Sequence, residues 1–355
     1  EIGGQQVRDL RAFFNALADM PVEIDGELHG KVRTITSSAF PVLSGGLTVA
    51  GINAAFEQVA TIGQDLVEAF DSAKETVTLV GLTAEVHANL QRKEGEEYPL
   101  VGAGEERFDI GSNPKGLRMQ ITQETIDRND NDGIVQRVNY LGRYPAGQIE
   151  KTTLREVTDH DGSASSGSAH TLILNKTGTA LYSATANVPG TRAPSGTRVT
   201  NNALVDTSDL EAARTRLATM KDEFGERRSL PSLTMLVPHA LETTAETILG
   251  STLEPGVANQ QNAWGPQGSR SVMLKSSAML DDLSASAWYM GDFKAQFRRK
   301  WGLRLELVSM SGDITNYLRN RIAFEARVAW DCKVGASDYG FVVQCLTGTT
   351  APKDA

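Results

Sequence analysis

Most of what enzymes and secreted modules rely on is scarce in this sequence. It has only two cysteines in 355 residues, Cys332 and Cys345, both near the C-terminal end. They offer neither a disulfide framework nor a metal-ligand spacing, so a reduced, cytoplasmic setting is expected. The histidines His29, His87, His160, His170 and His239 never pair at i, i+3 or i+4, so a metal site lacks its usual local anchor. Aromatic residues make up only 6% of the chain while glycine occurs 33 times, a balance that favours β structure and loops over a helical bundle. No apolar run approaches the roughly 20 residues that cross a bilayer, and no signal-peptide pattern is present, so no membrane partner is expected. The chain begins at Glu1 rather than methionine, as a processed or trimmed product would.

Chemical motifs are equally thin. There is no GxxxxGK[ST] phosphate loop, and Gly102-Ala103-Gly104 lacks the third glycine and the helix of a dinucleotide fingerprint. Asp159-His160-Asp161 with Ser163, Ser165 and Ser166 contains triad residue types but no nucleophile elbow. Asp127, Asn129 and Asn131 alternate as in a calcium loop. The sixth position, however, is Asp132 instead of glycine and the twelfth is Val138 instead of glutamate, so a turn with helix capping is the better reading. These absences argue against an enzyme and against any cofactor.

What is present suits a large globular α+β chain. A hydrophobic content of 40% supplies a core for one large or two ordinary domains, and a net charge of −9 with a pI near 5.2 excludes a surface that grips nucleic acid as a whole. The most informative stretch runs from Val77 to His160. Val77, Leu79, Leu82, Ala84, Val86 and Ala88 predict a strand, and Gln91 to Pro99 is a charged turn. Arg107–Ile110 and then Leu117–Thr122 predict the return. The hairpin carries Arg92, Lys93, Glu94, Glu96, Glu97, Glu105, Glu106 and Arg107, with few apolar side chains to pack on its own domain. Another copy of the chain is the natural cover, and these eight residues are the candidate inter-subunit contacts.

Around it the pattern is mixed. Val7, Leu10, Phe13, Phe14 and Leu17 repeat at helical spacing, Lys31 to Phe40 is β-like, and Ile52, Phe56, Val59, Ile62, Leu66 and Phe70 predict a second helix. Ile134, Val138 and Leu141 predict a short helix that Gly142 ends in a left-handed cap. Pro145 then opens a second helix carrying Ile149, Leu154 and Val157 toward Asp159. A Gly/Ser-rich loop follows from Asp161 to Ala169. Leu172–Leu174, Leu233–Val237 and Trp288–Met290 read as strands. Asp206-Thr207-Ser208-Asp209 starts a helix through Met220, and Pro238 opens another that Gly250 closes. Leu253 to Ser271 is a long loop. Leu303, Leu305 and Leu307, then Ile322, Phe324, Ala326, Val328 and Trp330, alternate as two strands joined near Ser311-Gly312-Asp313.

The one basic-aromatic cluster is Phe293, Lys294, Phe297, Arg298, Arg299, Lys300 and Trp301. Read as a helix, it presents a solvated face over buried aromatics. Read functionally, Arg298, Arg299 and Lys300 meet an acidic neighbouring subunit or face DNA.

Several short motifs then fall into a familiar order: Gly95-Glu96-Glu97-Tyr98, Met119 to Ile126 leading into Asn129-Asp130, Leu181-Tyr182-Ser183-Ala184, Leu236 to Ala245, Phe324 to Val328, and Asp338-Tyr339-Gly340. Together they resemble the major capsid protein of tailed bacteriophages, with the Hong Kong 97-type fold, and most closely the Mu-like major head subunit family. Two departures bear on subfamily. Asn129-Asp130-Asn131-Asp132-Gly133 replaces that family's Asn-Asp-Asp-Leu, and Ala184-Thr185-Ala186-Asn187 lacks its histidine.

The resemblance implies an N-terminal arm at 1–72 and an extended β-hairpin loop at 73–126. A peripheral domain would span 127–159 and 303–333, with a spine helix from Pro145 to about Asp159. An axial domain would span 160–302 and 334–346, and a tail 347–355. It further implies assembly as homo-hexamers and homo-pentamers into an icosahedral virion shell around double-stranded DNA, held without sequence-specific contacts, in the host bacterial cytoplasm. Portal protein, scaffold, maturation protease and a decoration protein are the implied partners. Some relatives join subunits through a hairpin lysine, and Lys93 lies in that segment, although no catalytic glutamate can be assigned. An encapsulin-like compartment shell of the same fold is the alternative.

Overall fold

The computed structural model describes residues 22–24, 27–29, 51–59, 61–85, 102–122, 124, 131–159, 181–184, 193–221, 226–229, 233–254, 260–311 and 322–348. The strands are β1 (Val22–Ile24), β2 (Glu27–His29), β3 (Glu68–Asp71), β4 (Val77–Glu85), β5 (Gly102–Ile110), β6 (Pro114–Thr122) and β7 (Arg198–Val199). They continue with β8 (Leu233–Pro238), β9 (Val272–Ser277), β10 (Trp288–Gly291), β11 (Phe297–Ser311), β12 (Ile322–Ala336) and β13 (Val342–Cys345). The helices are α1 (Gly63–Leu66), α2 (Asn131–Val157), α3 (Thr207–Ala218), α4 (His239–Gly250) and α5 (Phe293–Gln296), and residues 51–57 are also helical. Two compact units divide the chain: residues 1–60, 114–148 and 303–331, and residues 61–113, 149–302 and 332–355.

The first unit is organised by β12, whose alternation buries Ala326, Val328 and Trp330 and leaves Arg327 exposed, as the period-two pattern predicts. Antiparallel to it lies β6, in register from Thr122 opposite Ile322 to Pro114 opposite Asp331, with a bulge between Ile322 and Phe324. Strand Leu117–Thr122 therefore pairs with β12, whereas the sequence reading continues it from the hairpin's return. The reason is its own alternation: Met119 is buried at this register, and a hairpin standing alone has no apolar face to receive it.

Helix α2 corrects a second expectation. It runs unbroken from Asn131 to Val157 with Pro145 in its interior, where two helices are predicted. Gly142 is not a cap. It lies where α2 meets the helix over 51–57, and a Cβ there would overlap the carbonyl oxygen of Ile52 and fall 2.7 Å from the Ala55 Cβ. Close packing between these helices fixes the residue as glycine, and α2 continues past Pro145, which lacks a backbone donor. The predicted helix from Ile52 to Phe70 is likewise interrupted: residues 51–57 and α1 are helical, and Phe70 belongs to β3.

The second unit is built around a five-stranded mixed sheet in the order β7-β13-β10-β8-β9. Strand β10 is antiparallel to both β8 and β13, while β9 runs parallel to β8 and β7 parallel to β13. The continuous apolar run Met235–Val237 and all of Trp288–Met290 are buried, as suits strands covered on both faces. Helix α3 starts where the sequence predicts. The Asp206 carboxylate accepts the Ser208 N–H at 2.8 Å and the Asp209 carboxylate accepts the Asp206 N–H at 3.0 Å, a reciprocal capping box. Helix α4 follows Pro238 directly. The core is completed by Trp288, whose indole N–H donates to the Asn202 carbonyl at 3.0 Å, and by Tyr182, whose hydroxyl donates to the Val157 carbonyl at 2.9 Å. The predicted elements at Val7–Leu17, Lys31–Phe40 and Leu172–Leu174 lie outside the described residues.

Candidate assembly surfaces

Strands β4 and β5 pair antiparallel over nine positions, from Val77 opposite Ile110 to Glu85 opposite Gly102, and form a sheet of two strands only. Such a ribbon is marginal in water by itself. Its root is fixed by the body of the second unit. Ile110 is buried, Thr78 Oγ1 donates to Asp109 at 2.6 Å, and the Ser72 N–H donates to the Trp301 carbonyl at 2.8 Å. Of the hairpin's charged residues, Glu105, Glu106 and Arg107 lie on β5 opposite Leu82, Gly81 and Val80. Arg92, Lys93, Glu94, Glu96 and Glu97 lie outside the described residues.

The basic cluster is a strand, not a helix face. One helical turn, α5, ends at Gln296, and Phe297 begins β11, which pairs in parallel with β3 from Arg298–Glu68 to Trp301–Asp71. The exposed reading holds only for Arg298, which reaches Glu68 at 3.2 Å. Arg299 is 3% exposed and Lys300 1% exposed, so neither forms the solvated patch that helical spacing predicts. Lys300 Nζ donates to the carbonyls of Lys74 and Glu75, the latter at 2.8 Å, and so ties the root of the hairpin to β11. Arg299 Nη2 donates to Thr153 Oγ1 at 2.6 Å.

Beside Arg299, on the C-terminal part of α2, sits the buried carboxylate of Glu150. It accepts the N–H groups of Ile62 and Gly63, each at 3.0 Å. Burial raises the Glu150 pKa, and the two backbone donors and the Arg299 guanidinium only partly offset that rise. Burial likewise draws the Arg299 pKa below its ordinary value. This is a buried polar joint in which Glu150 is bonded by two backbone donors and Arg299 through Nη2, while the buried Arg299 Nε meets no acceptor among the described residues.

No reactive constellation accompanies these surfaces. Among the described residues no group of three His, Cys, Asp or Glu could hold a metal ion. His239 Nδ1 and Ser276 Oγ both bond the Glu242 carboxylate, each at 2.5 Å, which lowers its pKa; Ser276 and His239 share an acceptor and form no nucleophile–base pair. Cys332 and Cys345 are buried and form no disulfide, and burial pushes the Cys345 thiol up to about 12, so it is unreactive. His160 and Asp161 lie outside the described residues. No described helix is long and apolar enough to cross a membrane.

One surface is absent from the sequence reading. Tyr140 is 61% exposed and Tyr144 37% exposed, on the helix face opposite Val138 and Leu141, and their rings lie 5.5 Å apart. The i, i+4 spacing of two aromatics interleaved with Arg137 and Arg143, in a stretch without a single acidic residue from Gly133 to Ile149, is a signal the sequence does carry.

Comparison with known proteins matches residues 112–344 to the phage capsid protein family, which covers β6 through β13. The chain belongs to that family. Among solved structures, the mature capsid of bacteriophage PhiM1 superposes with a TM-score of 0.52 at 10% identity, over 81% of this chain and 87% of that one. The capsid of the native GTA particle gives 0.50 at 9% identity over 82% and 92%, and the capsid of cyanophage P-SCSP1u gives 0.50 at 12% identity over 81% and 88%. No curated protein matches the sequence. At these identities the likeness is one of fold: a mixed α+β chain of the Hong Kong 97-type found in phage capsids, as the sequence reading expected.

Proposed function

We propose that this phage capsid protein is the major head subunit of a tailed phage and closes, as hexamers and pentamers of one chain, into an icosahedral shell around double-stranded DNA. The observation that carries the reading is the family match across 112–344, which spans α2, the five-stranded sheet and both long strands. A hairpin of two strands, whose described contacts with its own unit lie at its root, supports it, because such a ribbon gains stability when a neighbouring subunit covers it. Closed point-group symmetry then repeats the same contact around each ring. The charged residues of the hairpin, Arg92 to Arg107, set orientation and register in that contact, and Arg298 adds an exposed charge beside the hairpin root. The motif order from Gly95 to Gly340 supports a place near the Mu-like head subunits. The mature particle is then the site of action, with portal, scaffold, maturation protease and decoration protein as partners.

Electron microscopy of the purified chain tests this, with closed particles or capsomers in exchange with them as the expected result. A chain that stays monomeric across ionic conditions overturns the reading, and particles that package an enzyme rather than nuclease-protected DNA overturn its viral part. Replacing Gln91–Arg107 by a short Gly-Ser turn should leave the circular dichroism spectrum near unchanged and abolish closure. Normal shells from that variant overturn the hairpin's role.

A further inference from the structure

The cluster Arg298–Lys300 leaves only one exposed cation, so any nucleic acid the chain meets must find its positive charge elsewhere. Over residues 136–148, α2 offers a face that fits. Gln136, Arg137, Tyr140, Arg143 and Tyr144 are exposed, and the opposite side, Val138, Leu141, Pro145 and Ala146, is buried. Every exposed side chain on this face carries an N–H or O–H donor and none is acidic, in a chain whose net charge is −9. Among the described residues Arg143 Nη2 reaches the neutral Gln58 amide, at 3.3 Å, and no carboxylate pairs with Arg137 or Arg143. The eight residue steps from Gln136 to Tyr144 extend about 12 Å, a length that spans about three to four phosphates of one duplex strand. Arginine, tyrosine and glutamine are the side chains that contact phosphate oxygens without reading sequence.

We infer that this face of α2 is the chain's contact with the phosphate backbone of duplex DNA. The inference rests on the reading of the chain as a shell around DNA. Duplex DNA is favoured over an acidic protein partner because donors outnumber apolar contacts along the face: its only exposed rings are the two tyrosines, which are themselves hydroxyl donors. The contact is electrostatic and indifferent to sequence.

The test measures binding of the full-length chain, as soluble capsomers, to a short fluorescent duplex of mixed sequence across a salt series. For Arg137→Gln with Arg143→Gln, loss of two phosphate contacts should reduce the slope of log K against log salt by about 1.8 and weaken binding on the order of 50-fold at 0.1 M salt. For Tyr140→Phe with Tyr144→Phe, the slope should be unchanged and affinity several-fold lower, since neutral hydrogen bonds release no counterions. The control, Arg227→Gln with Lys294→Gln, makes the same change in net charge on exposed positions elsewhere and should match the parent. An unchanged slope in the arginine variant, or an equal loss in the control, overturns the inference. So does an arginine variant that binds DNA normally but fails to form particles, since the face would then receive a protein. Wild-type capsomers that never close into shells, but whose slope falls by about 1.8 in the arginine variant, would instead refute the capsid reading and leave this contact standing.

Discussion

Two glycines of one helix should respond in opposite directions to the same substitution. Gly142 and Gly147 both lie inside α2, where alanine is favoured over glycine by about 0.8–1.0 kcal/mol per position. At Gly147 nothing lies within 4 Å of an added Cβ, so Gly147→Ala should stabilise the subunit by nearly the whole of that amount. At Gly142 the added methyl overlaps the Ile52 carbonyl and sits 2.7 Å from the Ala55 Cβ. The nearest atom belongs to backbone, which cannot swing aside as a flexible side chain does. Overpacking of this kind costs about 1–3 kcal/mol, and a backbone obstacle argues for the upper half of that range. Gly142→Ala should therefore be less stable than the parent by about 1–2 kcal/mol. Urea midpoints of the soluble subunit, at an unchanged m value, report both effects. The separation between the two variants should be about 2–3 kcal/mol, far outside the error of the comparison. A Gly142→Ala variant as stable as Gly147→Ala would refute the close helix contact.

Asp206→Ala should cost about 1 kcal/mol by removing the α3 cap. The Ser208 hydroxyl and N–H hold the Asp206 pKa below its ordinary value, so this stabilisation is present above about pH 4 and is lost as pH falls through the lowered value; urea midpoints across an acid series check both points. Glu150 has the opposite sign, because its pKa is raised by burial. Its contribution is complete below the ordinary carboxylate value and declines as pH rises through the raised one, so the wild-type advantage over Glu150→Gln should shrink from acid toward neutral pH. Lys300→Met preserves side-chain bulk but removes the donor to the Lys74 and Glu75 carbonyls, and should speed amide hydrogen exchange at residues 73–77 while the five-stranded sheet keeps its protection. Unaltered exchange there would show that the hairpin root is held by other contacts.

Local rules recovered those elements whose cause is local. The α3 cap is two carboxylates within four residues, the β12 strand is a two-residue alternation, and Leu233–Val237 is a short apolar run ahead of Pro238. The errors arose where a distant partner decides the outcome. Gly142 and Pro145 together read as a helix break, and only the helix over 51–57, some 90 residues earlier in the sequence, makes glycine a packing requirement. Arg299 and Lys300 read as surface charge because their partners, Thr153 and the Lys74 carbonyl, are 146 and 226 positions away. The hairpin strands were legible up to Ile110, but the partner of Leu117–Thr122 on β12 lies some two hundred residues downstream. The exposed face of α2 was written in the sequence as an acid-free stretch. It went unread because hydrophobic periodicity draws attention to the buried side of a helix.

The placement of charge links these findings to the work of a shell. Six cations elsewhere among the described residues are matched at short range: Arg118 with Glu325, Arg228 with Asp338, Arg270 with Glu211, Lys275 with Asp65, Arg298 with Glu68 and Arg327 with Glu306. All but Arg228–Asp338 have at least one partner exposed to solvent, so those five each add little stability. Collectively they remove free positive charge from a surface whose net charge is negative, and such a surface repels a polyanion at distances up to the Debye length, about 8 Å in physiological salt. In the proposed contact, the α2 face is where that repulsion reverses. Because the attraction is local and screened, DNA held there can slide and repack without binding tightly, and no sequence is preferred. A uniformly basic wall would bind the same DNA more strongly but would immobilise it, and an entirely acidic wall would leave its position unset. A narrow donor-only strip within an acidic surface permits orientation together with release.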